Sequence, residues 1–277
     1  MTEYKKIKVR DIKVNYVTVG EGFPVLFLMG LGNTIEAYLQ NPATTNAAAS
    51  NGRMAILMDN RGIGGTTAGD IEDYTIETLA DDAAAFLDAL GIEKAHVFGF
   101  SMGGMTAQML AVKYPEKVEK LILGCTWPGG RKLVKPEESI YEYLTVPGKG
   151  NYESVPEDLA LQMVVSRKFI RENPEAAEGV RRMVASTRDD NPGDAAAFEH
   201  QQVALGKFDI YDRLPEIKAK TLVIAPRYDI VIPPANGALI ATQIETSDLL
   251  WLPNSAHPMI EDTELVARKI KEFLDAE

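Results

Sequence analysis

The sequence predicts an α/β protein, in which a mostly parallel central sheet is flanked by helices and interrupted by an all-helical insertion. Three observations predict it. Apolar runs at 24–29, 54–59, 95–100, 121–124, 221–225 and 248–252 have the length and character of strands buried on both faces. Helix-period segments at 75–90, 104–113 and 235–243 alternate with them, as a parallel sheet with crossover helices requires. Between 126 and 215 the alternation stops, and helical segments bounded by Pro, Gly or Asn replace it.

The chain opens on charged residues with no apolar stretch of the kind a signal peptide carries, so none is expected. Residues 7–10 and 13–19, joined at Asp11, alternate in polarity and read as an antiparallel pair. The run 24–29 is continuous in apolar character and belongs deep in the sheet. The Gly-rich stretch 62–67 has Thr67 where a dinucleotide loop needs its third Gly, and no helix-like run follows, so that fingerprint fails. Gly91 closes the helix 75–90, and Pro115 follows the end of 104–113. Met102, Met105 and Met109 recur at helical spacing and read as core. Within 126–215, helices are expected at 136–144, 156–172, 174–186 and 193–206. The insertion leaves from a strand's carboxyl end, which places it as a cap (126–215) over a core made of 1–125 and 216–277.

Composition narrows the function. An apolar share of 45% suits a globular protein, and 277 residues are within reach of one α/β unit with an insertion. A formal net charge of −11 would be repelled by nucleic acid and by anionic membranes. No run of 18 apolar residues is present, so no membrane span is expected. The single Cys125 has no partner for an internal disulfide, which points to a reducing, cytoplasmic setting. It ends the run 121–124 and is expected to be buried and unreactive. There is no cluster of metal-ligand type and no cofactor fingerprint, so neither metal nor cofactor is expected; oligomeric state is not indicated.

Chemistry is concentrated at Gly99-Phe100-Ser101-Met102-Gly103, at the junction of a strand-like and a helix-like run. A strand that turns at once into a helix with Ser at the apex needs small residues two before and two after it. This is the context of a G-x-S-x-G nucleophile. Three His are present. His96 lies inside a strand and reads as a packing residue; His200 lies in a helical run. His257 stands on the loop after 248–252, where a ring is free to approach a Ser, and is the expected general base. The acid that orients it should end another strand. Asp229 follows 221–225 and fits; Asp59, after 54–58, is the rival, though it reads more simply as a partner of Arg61 and nearby turn amides.

With these residues in place, the chain resembles the α/β-hydrolase superfamily over nearly its whole length. The family's order of nucleophile, acid and base falls on Ser101, Asp229 and His257, its loop after the third strand on Met29-Gly30-Leu31-Gly32, and its Asp-x-Arg-Gly-x-Gly segment on 59–64. The resemblance is nearest to the capped esterase, enol-lactonase and carbon–carbon hydrolase branch. It implies an oxyanion hole made by the backbone N–H groups of Leu31 and Met102. Met29 stands where relatives often carry His, and 41–50 lacks the clear amphipathic helix usual there. The implied function is a serine hydrolase cleaving a small to medium carboxylic ester or lactone. A carbon–carbon hydrolase, lyase or perhydrolase on the same triad, or a ligand-binding receptor that keeps the fold, are the alternatives.

Overall fold

The computed structural model describes residues 3–70, 74–149, 155–187 and 195–276, with side chains left undescribed at 183–187. The segments expected around 193–194 lie outside these residues. Eight strands form one sheet: β1 (Lys5–Val9), β2 (Ile12–Gly20), β3 (Phe23–Leu28), β4 (Arg53–Met58), β5 (Ala95–Phe100), β6 (Val118–Gly124), β7 (Lys220–Pro226) and β8 (Ser247–Leu252). Their spatial order is β1-β2-β4-β3-β5-β6-β7-β8. The β1–β2 and β2–β4 pairs are antiparallel and all other pairs are parallel.

The helices are α1 (Glu36–Gln40), α2 (Ala43–Ala48), α3 (Ile76–Ala89), α4 (Met102–Lys113), α5 (Glu138–Thr145), α6 (Glu157–Val164), α7 (Arg167–Glu172), α8 (Pro174–Thr187), α9 (Ala195–Lys207), α10 (Ala235–Gln243) and α11 (Thr263–Asp275). Alternation along the strands sends side chains to two separate apolar layers. Leu26, Ile56, Val97, Leu121 and Val223 meet α3, α4 and α10 on one face. Val25, Phe27, Leu57, Phe98, Ile122 and Ile224 meet α2 and α11 on the other. Both faces are therefore covered, which is why the central strands read as unbroken apolar runs. No helix among the described residues is long and apolar enough to cross a membrane.

Local chemistry sets the boundaries. Thr75 caps α3: its hydroxyl accepts the Thr78 N–H, and the Thr78 hydroxyl accepts the Thr75 N–H in return. The expected helix 156–172 is in fact two, α6 and α7. Val165 is extended between them, and the Ser166 hydroxyl caps α7 by accepting the Phe169 N–H. Past β8 lies α11, which buries Val266, Ile270, Phe273 and Leu274 against α2. Its C-terminal carbonyls at Phe273, Leu274 and Ala276 accept from Lys120 Nζ, a cation where the helix dipole favours one.

Arg61 ties three parts of the fold together through buried ion pairs. Its side chain is fully buried, with Nη1 and Nη2 on Asp11 and Nε and Nη2 on Asp82. It thereby joins the β1–β2 turn, the segment after β4 and α3. Removing one partner of a buried ion pair typically costs about 3–5 kcal/mol, because the other charge is stranded. Arg61→Met should lower the unfolding free energy by that order in urea titration. The guanidinium also holds the Asp11 carboxyl below the usual carboxylate range. A depressed pKa contributes stability above the unfolded-state value, about 3.9, that is lost as pH falls below it. The wild-type protein should therefore lose stability more steeply than Arg61→Met in that acid window.

Candidate active site

Ser101 sits between β5 and α4 with φ 55° and ψ −120°, a left-handed conformation unusual for a side-chain-bearing residue. Its neighbours make this possible. A Cβ on Gly99 would overlap the Gly103 carbonyl and come within 2.7 Å of Ala107 Cβ, and one on Gly103 would overlap the Leu28 carbonyl of β3. The strand–helix junction closes only because both are bare. The bend is held by the Ser101 N–H on the Gly124 carbonyl (2.9 Å) and by the Thr126 hydroxyl donating to the Ser101 carbonyl (2.8 Å). Met102 is the first residue of α4, so its N–H has no acceptor within the helix.

Asp229 follows β7. Its Oδ1 accepts the N–H groups of Val231 (2.9 Å) and Ile232 (2.8 Å), and its Oδ2 lies 2.8 Å from His257 Nδ1. The carboxylate is fully buried and the ring nearly so. Thus one oxygen fixes the loop and the other fixes the imidazole. The His257 loop is held in turn by Asp262, which accepts from the Asn254 N–H, the Ser255 N–H and the Ser255 hydroxyl. Glu261 accepts the Ala256 N–H. The His257 ring packs against Phe100, the residue before Ser101, with centroids 4.9 Å apart. Among the described residues no hydrogen bond joins Ser101 Oγ to His257 Nε2. Such links are often long before substrate arrives.

Leu31 occupies a tight turn after β3, closed by the Asn33 N–H on the Gly30 carbonyl (3.2 Å). Gly32 has φ 65°, as the third position of such a turn requires. The turn lies against the Ser101 bend, the nucleophile elbow between β5 and α4, since a Cβ on Gly30 would stand 3.4 Å from Ser101 Cβ. Met29 is fully buried in the apolar layer, and its carbonyl accepts from Asn60 Nδ2.

Asp59 is not joined to His257. It accepts the Ile35 N–H, the Gly65 N–H and Asn15 Nδ2, and burial pushes its pKa up. The expected pairing of Asp59 with Arg61 is corrected: Arg61 bonds Asp11 and Asp82. Gly64 and Gly65 are needed because Asp59 and Asn15 fill the space a Cβ would take. His96 lies at the far end of β5 from Ser101, buried beside the Phe23 ring, and burial pushes its pKa down to about 4. His200 packs on Tyr74.

Cys125 Sγ, Asp229 and His257 bring possible metal ligands within 4.8 Å of one another. The donor set fits a metal poorly. Burial raises the thiol well above its ordinary value, Sγ donates to the His257 carbonyl (3.1 Å), and both Asp229 oxygens are engaged.

Helices α5 to α9 form the segment between β6 and β7. Its stem is closed by the Gly130 N–H on the Phe208 carbonyl and the Ile210 N–H on the Pro128 carbonyl. Beyond the stem it touches loops at the carboxyl ends of strands. Gln201 Oε1 accepts the Gly32 N–H (2.9 Å), the Tyr74 hydroxyl donates to the Ala197 carbonyl, and Glu261 accepts the Ser166 N–H. A cavity of about 330 Å³ lies at the stem, between Trp127, Leu133, Tyr141, Leu205 and Phe208. None of Ser101, Asp229 or His257 lines it, so it lies apart from this constellation. Gln201, Glu261 and Asp262 were not singled out from sequence. Their roles depend on partners across loop and helix contacts that no spacing rule marks.

Comparison with known proteins agrees with the fold. A family model described as the α/β hydrolase fold matches residues 24–143. The chain is 28% identical to a 2-hydroxy-6-oxo-6-phenylhexa-2,4-dienoate hydrolase of Comamonas testosteroni, with 85% of this chain and 82% of that one covered. It is 26% identical to 3-oxoadipate enol-lactonase 2 of Acinetobacter baylyi, over 92% and 90% of the two chains. Among solved structures it is similar to a thermophilic esterase from Thermogutta terrifontis, at 26% identity, TM-score 0.75 and 98% coverage of both chains.

Proposed function

We propose that this chain, whose sheet and flanking helices follow the α/β-hydrolase fold, is a serine hydrolase cleaving a small to medium carboxylic ester or lactone through an acyl-enzyme on Ser101. The observation that carries this reading is the buried Asp229–His257 pair at 2.8 Å beside a Ser held at φ 55°. A buried carboxylate on Nδ1 keeps the ring's proton there and leaves Nε2 free to accept one. Ser101 Oγ attacks the carbonyl carbon as its proton passes to His257 Nε2. The tetrahedral intermediate collapses, the C–O bond to the leaving group breaks, and the alkoxide takes that proton. Water then repeats the sequence and releases the acid.

The developing oxyanion would be met by the backbone N–H groups of Leu31 and Met102. Loss of one such donor typically costs about 3–4 kcal/mol of transition-state stabilisation. Being backbone groups, they are unaffected by Met29 standing where relatives often have His. Residues 126–215 are proposed as the cap. Contacts of α9 and α7 with the Gly32 and Glu261 loops support that placement. Its apolar residues, among them Phe198 against Gly32, favour a compact neutral substrate over a long acyl chain or a dianion.

The test is direct. A fluorophosphonate should add once per chain, at Ser101 by peptide mapping, and aryl esters of short to medium acyl length should turn over. The Ser101→Ala protein should do neither. Labelling at another Ser, or none in folded wild-type protein, would sink the assignment.

A further inference from the structure

We propose that Gln201, on α9 of the insertion, is a positioning residue that holds the oxyanion turn in its working form. The inference rests on the reading above, in which Leu31 N–H receives the oxyanion. Gly30, Leu31, Gly32 and Asn33 form a turn with positive φ at Gly32 and not at Leu31. That combination is type II. Type I differs from it chiefly by inversion of the central Leu31–Gly32 peptide. The Gly32 N–H of that peptide donates to Gln201 Oε1 (2.9 Å). With the carboxamide as it stands, inversion would turn the Leu31 carbonyl toward the same oxygen, acceptor against acceptor. The bond therefore opposes inversion of the peptide that adjoins the Leu31 donor, since inversion would require the buried Gln201 amide to turn over as well. A preorganised donor must be held within roughly 0.5 Å and 10–20° to be useful, and a turn free to invert is not so held.

The other half of the carboxamide strengthens the argument. Gln201 is fully buried, yet among the described residues its Nε2 has no hydrogen-bond partner. A buried donor without an acceptor is destabilising. An apolar side chain of the same length would serve packing equally well and remove that orphan. What it would not do is accept the Gly32 N–H. The neighbouring α9 residues keep Gln201 in place: Ala197 stands where a Cβ on Gly62 would go, and Phe198 lies 2.8 Å from where one on Gly32 would go. At the oxyanion turn the insertion thus makes its polar contact through the Gln201 oxygen, beside the Phe198 ring.

Gln201→Met and Gln201→Glu test this in the full-length protein. The methionine variant should keep its melting temperature within a few degrees, lower kcat for an aryl ester by roughly 10- to 100-fold, and leave KM within about threefold. Inhibition by a boronic acid, whose tetrahedral adduct needs the same hole, should weaken by the factor seen in kcat. The glutamate variant keeps an acceptor oxygen at the same reach and should recover most of the loss. A methionine variant with kcat within twofold of wild type, an effect confined to KM, or equal losses in both variants would overturn the proposal. Were the methionine variant unfolded, the glutamate variant alone decides, with near-wild-type kcat supporting the proposal and a tenfold loss overturning it. Failure of wild-type labelling at Ser101 would instead count against the function proposed above. Normal labelling of wild type and methionine variant at equal rates removes only the role of Gln201.

Discussion

Asp229→Asn is expected to leave the fold intact and lower ester turnover by roughly 10⁴-fold, the size of the effect in the serine-protease precedent. The geometry gives the reason. An asparagine oxygen in place of Oδ1 still accepts the Val231 and Ile232 N–H groups, so the loop after β7 is preserved. The amide nitrogen then replaces Oδ2 and presents N–H to His257 Nδ1, which must become an acceptor. The ring's proton moves to Nε2, the atom that in the proposed mechanism has to take the Ser101 proton. The opposite amide orientation would restore the tautomer but strand two buried backbone donors. Steady-state turnover, the labelling rate at Ser101 and a thermal melt together distinguish this from unfolding. Near-wild-type turnover would return the orienting role to another acid.

The second large effect falls on stability. Gly103→Ala should prevent folding, or cost more than about 4 kcal/mol, because its Cβ would overlap the Leu28 carbonyl of β3. Relief by moving α4 is blocked. Gly104 lies against Thr126, whose Cβ would be 2.6 Å from a Cβ there, and Gly99 already lies against Gly103 itself. Gly179→Ala in α8 is the control: nothing among the described residues lies within 4 Å of a Cβ there, and helix propensity favours alanine by up to about 1 kcal/mol. Soluble yield and urea midpoints of the two variants, measured side by side, give the contrast. A Gly103→Ala protein as stable as wild type would mean that the elbow closes in some other way.

These two sites also show what the sequence made legible. Burial on both faces leaves an unbroken apolar run, so the central strands could be read directly, and the bare residues at 99 and 103 mark a close approach whatever lies opposite them. Asp229 and His257 were readable because strand ends and loops are local features. The break at Val165 was not, since neither Pro nor Gly marks it and the Ser166 cap becomes visible only with its Phe169 partner. Arg61 shows the same limit: its acids lie 50 and 21 residues away along the chain, while Asp59 stands two residues off and looked the simpler partner. The helix α11 carries the i, i+4, i+7, i+8 pattern at 266, 270, 273 and 274, so its signal was present in the sequence.

The closed stem at Pro128, Gly130, Phe208 and Ile210 has an evolutionary consequence. Hydrogen bonds of 3.0 and 3.2 Å bring the outgoing and returning chain side by side, so the sheet meets the whole helical segment as a narrow two-stranded connection. The entropic cost of closing a loop rises only slowly with its length. Helices beyond the stem are therefore open to lengthening, shortening or exchange with little effect on the sheet, provided that the contacts at Gly32, Tyr74 and Glu261 are replaced. Diversification of such a chain is expected to proceed by trading that segment as a module, with β5, its elbow and the two acid-held loops inherited unchanged.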